Sequence, residues 1–298
     1  MSFRNVIVAF DGSPQGEDAL ALALRLCDRD DGVLTLACVV TGHRWHLGPE
    51  VRRADVPVSE AIAVLFADAR AAIPAGVHVR ERAPVAPSPA RGLTELAESE
   101  GADLVVVGSS SHAEAGRVRL ERTAGRLLQG APCAVAIGPG GVRERGDFRH
   151  IAVAYDGSPE ARAALAVTYE IAAPSHAAVT LMRALDPLGS DDIQRKARLE
   201  AGAGLDEAAD GAPAGVNPQT MLLHGAPATV IRDACEGVVD LLITGSRSYG
   251  PLQRALLGSV SEALMEGASH PVLVVPRVGS RPPAATVVVP DGVSSRRP

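Results

Sequence analysis

Glycine and serine residues follow an apolar run at residues 241–243 and lead to a helix start predicted at Ser259. The residues of interest after this run are, in order, Gly245, Ser248, Gly258 and Ser259. Phosphates bind to glycine-containing loops that connect the end of a strand to the start of a helix, because backbone N–H groups and the helix dipole favour anions there. Gly258, which has no Cβ, would allow a close approach of ligand to backbone. The alternative is that Ser259 and Glu262 form a capping box on a helix that binds nothing.

The sequence contains an internal repeat of about half its length. The residues Val-Ala-Phe-Asp-Gly-Ser-Pro at 8–14 recur at 153–159 with tyrosine in place of phenylalanine, and 102–109 resembles 239–246. Copies of this length indicate a duplicated domain and not a solenoid, whose units are far shorter. The expected segments are a first domain at 1–140, a linker at 141–148, a second domain at 149–277 and a disordered tail at 278–298.

The bulk composition is that of a globular protein without a basic surface. The chain has 298 residues, 46% of them hydrophobic, and a net charge of −6, which argues against nucleic acid or an anionic membrane as a partner. No apolar run reaches the ~18 residues of a membrane-spanning helix, and the first residues do not resemble a secretion signal. We therefore expect a soluble cytoplasmic protein. Its thiols are expected to be buried and free, at Cys27, Cys38, Cys133 and Cys235.

Strand-like and helix-like stretches alternate through both copies. The predicted strands are 5–10, 33–40, 77–82, 104–107 and 134–137 in the first copy, and 150–155, 178–183, 219–223, 241–244 and 272–275 in the second. This alternation predicts an α/β fold with doubly wound parallel sheets covered by helices on both faces. Ligands of such sheets bind beyond the carboxyl ends of the strands, at the switch point, which is where Asp156 and Gly245 are expected.

The motifs resemble those of a tandem universal stress protein along nearly the whole of both copies. The resemblance is carried by the heads of the copies at 8–14 and 153–159, the apolar runs before Gly108 and Gly245, the Gly-Ala-Pro-Ala at 225–228 and the closing Ala-Ser-His-Pro-Val-Leu-Val-Val-Pro at 268–276. It implies a Rossmann-like five-stranded sheet of order 3-2-1-4-5 in each half. The halves would be related by a pseudo-twofold axis, fifth strand against fifth strand. A homodimer of such chains is left open.

The nucleotide-binding branch of this family carries the motif G-x2-G-x9-G-[ST] after the fourth strand. The second copy fits it at Gly245, Gly258 and Ser259, with Ser248 in place of the middle glycine. The resemblance thus implies that ATP or a related adenine nucleotide, with Mg²⁺ left open, binds to the second domain. The residues expected to bind it are Tyr155, Asp156, Ala184, Thr244, Gly245, Arg247, Ser248, Gly258, Ser259, Val260 and Ser261.

The resemblance also assigns parts of the nucleotide to these residues. Asp156 would lie near the ribose or a metal ion, and the backbone of Ala184 would contact adenine. Gly245 and Ser248 would line the phosphates, with the residues from Gly258 onward donating hydrogen bonds to them. If the middle position needs a positive φ, serine costs about 1–2 kcal/mol there.

The first copy departs from the motif at the position of the phosphates. Glu121 aligns with Gly258, so that a carboxylate would stand where the phosphate should bind. Two like charges ~4 Å apart repel by up to about 4 kcal/mol at an effective dielectric constant near 20. We therefore expect no nucleotide in the first domain. Ser109 and the two serines after it are interpreted there as a polar loop.

The sequence favours a binding module over an enzyme. It has no G-x-x-x-x-G-K-[ST] motif, and no general base or Ser/His/Asp arrangement is recognisable. ATP would then select or stabilise one conformation in a stress-response regulator. A weak ATPase or phosphotransferase, and a scaffold that binds no nucleotide, remain alternatives. His43 and His46 flank Trp45 in a loop that we interpret as solvent-facing or as a lid, in preference to a metal site.

Overall fold

The computed structural model describes residues 3–42, 57–186, 190–246 and 258–276, which fold as alternating strands and helices. The strands within these ranges are β1 (Asn5–Ala9), β2 (Val33–Ala37), β3 (His78–Arg82), β4 (Leu104–Gly108), β5 (Ala134–Gly138), β6 (His150–Ala154), β7 (Ala178–Leu185), β8 (Gln219–His224), β9 (Leu241–Gly245) and β10 (Val272–Val275). The helices are α1 (Pro14–Leu26), α2 (Val58–Ala71), α3 (Pro89–Glu100), α4 (Arg122–Gly130), α5 (Pro159–Ser175), α6 (Asp191–Asp210), α7 (Pro227–Cys235) and α8 (Ser259–Met265). None of the described helices is both long and apolar enough to cross a lipid bilayer.

The two halves share one ten-stranded sheet of order β3-β2-β1-β4-β5-β10-β9-β6-β7-β8. Each half has the predicted internal order 3-2-1-4-5, with parallel neighbours throughout. The fifth strands pair antiparallel, with Ala136 opposite Leu273. This pairing confirms the expected contact of fifth strand with fifth strand, and it leaves neither apolar strand as an open edge.

Both faces of the sheet are buried because its central strands carry apolar side chains toward both sides. In β1, Val6 and Val8 belong to one core and Ile7 to the other, and all three side chains are fully buried. The first core is closed by α1, α2, α5 and α6, and the second by α3, α4, α7 and α8. This two-sided burial is typical of parallel sheets with helical crossovers, and it leaves only the strand ends free for ligands.

The predicted turn and cap after the first strand are confirmed. Ser13 is the N-cap of α1, and its hydroxyl accepts a hydrogen bond from the Gly16 N–H at 3.1 Å, with Pro14 at the first helical position. The second half repeats this arrangement at Ser158. A capped helix start fixes the direction in which each chain leaves the end of its first strand.

The residues between the halves pack against α1. The buried carboxylate of Asp18 accepts hydrogen bonds from the N–H groups of Gly141 (2.9 Å) and Arg143 (3.0 Å). Arg25 donates to the carbonyl oxygen of Gly146 at 2.9 Å, and Val142 is fully buried. The glycine-rich composition predicted a linker here, and its contacts with α1 fix the path of that linker.

Candidate functional site

A cavity of about 410 Å³ opens at the carboxyl ends of β6, β7 and β9, where the strand order of the second half reverses. It brings together seven of the residues predicted to bind a ligand, namely Tyr155, Asp156, Ala184, Thr244, Gly245, Val260 and Ser261. Gly258 and Ser259 lie next to it at the start of α8. Arg247 and Ser248 fall outside the described residues, as do the His43–His46 loop segment and the tail from 277 onward.

The turn that follows β6 places the carboxylate of Asp156 at the mouth of this cavity. Tyr155 is buried and its N–H donates to the Met182 carbonyl oxygen at 2.8 Å, which holds the end of β6 against β7. The next residue, Asp156, is exposed, and its Oδ1 accepts from the Ser158 N–H at 2.9 Å. The turn that the Asp-Gly sequence predicts is therefore present, and it holds the Asp156 carboxylate beside the cavity.

Gly245 is required for packing, independently of any ligand. A Cβ on this residue would lie 2.7 Å from the backbone carbon and oxygen of Glu160, in the first turn of α5. Gly108 in the first half stands in the same relation to Gln15, whose carbonyl oxygen would be 2.2 Å away. The glycine after the fourth strand is thus explained by the close approach of a helix to the sheet.

The start of α8 differs from the capping box that the sequence allows. Its N-cap is Gly258, with φ −72° and ψ 148° and no side-chain cap, and Ser259 is the first helical residue. The first intrahelical bond of the turn runs from the Glu262 N–H to the Gly258 carbonyl at 2.9 Å. The three preceding N–H groups, of Ser259, Val260 and Ser261, have no intrahelical acceptor, and two of these residues, Val260 and Ser261, line the cavity.

The hydroxyl of Ser261 is already used within the protein. It donates to the Gly245 carbonyl oxygen at 3.0 Å and lies 3.3 Å from the Thr244 hydroxyl. These bonds attach the first turn of α8 to the end of β9. The Ser261 hydroxyl therefore positions the helix, and the contact of Ser261 with phosphate that the resemblance implies stays a prediction.

Ser246 is a cavity residue that the sequence reasoning missed. Its hydroxyl is buried and, within the described part of the chain, has no hydrogen-bond partner. Ser109, its counterpart in the first half, accepts from the Arg119 N–H at 2.8 Å and donates to the Arg117 carbonyl at 3.2 Å. A buried hydroxyl without a partner is unusual and requires an explanation, since native proteins satisfy most such groups. The serine directly after the strand-four glycine was the available signal.

The first half has a larger cavity, of about 770 Å³, at the carboxyl ends of β1, β2 and β4. Glu121 lines it and is the N-cap of α4. The Glu121 carboxylate accepts a hydrogen bond from the Ser110 hydroxyl and lies 3.3 Å from Nδ1 of His112. The bond from Ser110, followed by the interaction with His112, lowers the pKa of Glu121. A negative charge therefore stands at the position that Gly258 leaves open in the second half.

The thiols of the chain are buried and unpaired, as predicted. Burial raises the pKa of Cys38, which lines the first cavity, and of Cys235 to about 12 in each case. A thiol with so high a pKa is protonated at neutral pH and is a poor nucleophile or metal ligand. In the described ranges no three His, Cys, Asp or Glu side chains are grouped to hold a metal ion. The metal role of Asp156 stays a prediction.

Comparison with known proteins places both halves in one family. The model of the universal stress protein family matches residues 2–139 and again residues 147–276. A universal stress protein of Thermus aquaticus is 33% identical over 135 residues, which is 43% of this chain and 98% of the relative. One of Staphylococcus haemolyticus is 31% identical over 141 residues, 43% of this chain and 84% of the relative.

Solved structures share the fold of the entire tandem arrangement. A universal stress protein from Archaeoglobus fulgidus matches with a TM-score of 0.64 and 17% identity, over 91% of this chain and 98% of its own. A functionally unknown protein from Pseudomonas aeruginosa matches with a TM-score of 0.65 and 16% identity, over 92% and 93%. At this level of identity the likeness concerns the fold alone.

Proposed function

Because the chain belongs to the universal stress protein family, with two such domains in tandem, we propose that it is an adenine-nucleotide-binding stress-response regulator whose second domain holds ATP. The nucleotide occupies the cavity at the ends of β6, β7 and β9. Binding stabilises one conformation of the chain, and that conformation carries the regulatory signal.

The observation that carries the proposal is the buried Ser246 hydroxyl, which has no partner among the described residues although it lines this cavity. A phosphate oxygen is a strong acceptor, and it would satisfy both this hydroxyl and the N–H groups at the start of α8. The equivalent hydroxyl of the first half is satisfied, because Ser109 is bonded to backbone groups of its own loop.

Other features of the cavity suit the remaining parts of the ligand. Ala184, near the end of β7, lines the cavity wall, where the resemblance places adenine. Asp156 supplies one exposed carboxylate, and Mg²⁺ is commonly held by one or two carboxylates together with substrate phosphates. The donors present therefore fit a magnesium nucleotide, in which Asp156 would hold the metal and the metal would neutralise phosphate charge.

The test is calorimetric titration of ATP into the full-length chain and into two variants at Gly258. Gly258→Glu adds a carboxylate at a position whose backbone is extended, so that any residue can adopt it without strain. Gly258→Gln has nearly the same size and no charge. We expect Gly258→Glu to weaken ATP binding by about 100-fold or more, from like-charge repulsion of up to about 4 kcal/mol, and by clearly more than Gly258→Gln. Equal affinity in all three proteins would contradict the site.

A further inference from the structure

The two cavities occupy equivalent places in the two halves and differ at one helix start. Glu121 and Gly258 are the N-caps of α4 and α8, and both have extended backbone conformations. The helix that follows the fourth strand therefore begins in the same way in both halves. One half carries a carboxylate at this point, and the other carries no side chain at all.

The Glu121 carboxylate spans the gap between the helix start and the loop after β4. It makes no capping bond to α4, and accepts a hydrogen bond from the buried hydroxyl of Ser110. Its lowered pKa means that it is ionised at neutral pH. The protein thus supplies its own anion at the position where the second half has Gly258, which carries no side chain.

The rest of the first cavity remains open and has the character of a ligand site. It encloses about 770 Å³, and most of its wall is apolar, with contributions from Phe10, Val39, Leu93 and Val107. Asp11 stands at the end of β1 as Asp156 stands at the end of β6, and Val39 follows β2 where Ala184 ends β7. Small-molecule sites commonly have this size and combine apolar wall with polar groups.

We propose that the first cavity binds a nucleoside that carries no phosphate, with the Glu121 carboxylate in the place of the phosphate. This choice of ligand class rests on the nucleotide proposed for the second half, whose base and ribose positions the first cavity repeats. A 5′-hydroxyl would donate a hydrogen bond to the carboxylate, whereas a 5′-phosphate would be repelled by it. The two halves would then distinguish a nucleotide from its dephosphorylated form.

Three arginines also line the first cavity, and all three are exposed residues. Arg119 donates through its guanidinium to the carbonyl oxygen of His112 at 3.1 Å. Water screens the attraction of Arg122 and Arg126 to a phosphate, and it also weakens the repulsion by Glu121, whose side chain is about half exposed. We therefore expect a preference for the nucleoside of about tenfold and not the full Coulomb value. The carboxylate is the charged group fixed at the helix start itself.

Methyl NMR of the full-length chain separates the two cavities during titration. The methyl groups of Val39 and Leu93 report on the first cavity, and those of Ile231 and Val260 on the second. We expect adenosine to shift the first pair, and AMP to do so with an affinity at least about tenfold weaker. First-cavity methyls that do not respond to adenosine, or that respond equally to AMP, overturn the proposal.

Two charge-removing variants test the role assigned to the carboxylate. Glu121→Gln keeps the shape of the side chain and should bring the affinities for adenosine and AMP closer together. Glu114→Gln is the matched control, since Glu114 is an exposed carboxylate in the same loop that does not line the cavity. An unchanged preference in Glu121→Gln, or an equal change in both variants, overturns the proposal.

The same titrations tell this proposal apart from the function of the second half. Shifts of Ile231 and Val260 with ATP support the nucleotide site whether or not adenosine binds elsewhere. If ATP moves those methyls and adenosine leaves Val39 and Leu93 unmoved, the nucleoside site alone is wrong. If adenosine moves the first pair and ATP leaves the second pair unmoved, the nucleoside site is supported and the second-half function is wrong.

Discussion

Replacing Asp18 by alanine tests how strongly the segment between the halves is held to α1. The Asp18 side chain is only 3% exposed, and it accepts two hydrogen bonds from the N–H groups of Gly141 and Arg143 at 2.9 and 3.0 Å. A hydrogen bond to a charged group contributes about 1.5–3 kcal/mol to stability. The bond from Gly141 falls in this range, whereas the freed N–H of the exposed Arg143 can reach water, so that its bond contributes only about 0.5–1 kcal/mol. The two bonds together should therefore contribute about 2–4 kcal/mol.

Glu17→Ala is the matched control for this substitution. Glu17 forms an ion pair with the side chain of the same Arg143, but about half of each side chain is exposed. Exposed pairs contribute about 0–1 kcal/mol, and a carboxylate in the first helical turn adds roughly 0.3–1 kcal/mol through the dipole. Both variants place alanine in the first turns of α1, so helix propensity changes little between them.

The assay is urea unfolding of the wild type and both variants, followed by circular dichroism. We expect the free energy of unfolding to fall by about 2–4 kcal/mol for Asp18→Ala and by about 1–2 kcal/mol or less for Glu17→Ala. A smaller loss for Asp18→Ala than for Glu17→Ala would refute the view that buried backbone contacts fix this segment. It would mean that residues 141–148 act as a flexible linker.

Three further substitutions, the first of them with a control, test other parts of the second half. Gly245→Ala should destabilise the chain by about 1–3 kcal/mol in urea unfolding, because its Cβ meets the Glu160 backbone, whereas Gly202→Ala, a helical site with open space around it, should stabilise it by about 0.5–1 kcal/mol. Burial lowers the pKa of His270 from 6.5, so the folded chain keeps this residue neutral while the unfolded chain takes up a proton. Stability that is present above about pH 6.5 is then lost as the pH falls. Unfolding measured between pH 7.5 and 5.5 should show a smaller slope for His270→Gln, and equal slopes would contradict this. Ser246→Ala should weaken ATP binding about tenfold in calorimetry, and an unchanged affinity would remove the observation on which the nucleotide site rests.

The arrangement of strands was predictable because the apolar runs are strong and occur twice. The residues at which the strands end were harder to predict, as the second strand shows. The sequence predicts it to reach Val40, whereas β2 ends at Ala37 and the pairing continues only as an isolated bridge between Val40 and Val85. The Val40 N–H donates to the carbonyl of Pro84, which has no N–H to contribute to a regular ladder. Such an interruption depends on the partner strand, which a local pattern does not contain.

The site was predictable in outline, but its hydrogen bonding was not. The carboxyl ends of the strands, the turn at Asp156 and the helix beginning at Ser259 follow from local signals and from the repeat. The role of Gly245 against α5, and the contrast between Ser246 and Ser109, depend on which backbone groups lie nearby in three dimensions. A serine in a loop has the same local signal whether its hydroxyl is satisfied or not.

Joining the halves in one chain allows the two cavities to differ. The β5–β10 pairing is accompanied by mutual hydrogen bonds between Val118, in the loop after β4, and the Gly267–Ala268 turn after α8, at 2.8 Å each. Two identical chains paired in this way would have to carry the same residue at both helix starts. A tandem chain keeps the shared sheet, but the N-cap of α4 is Glu121 and the N-cap of α8 is Gly258. A duplicated chain can therefore have different residues at the starts of α4 and α8, whereas a symmetric dimer of single domains cannot. Both proposed ligand preferences depend on this difference.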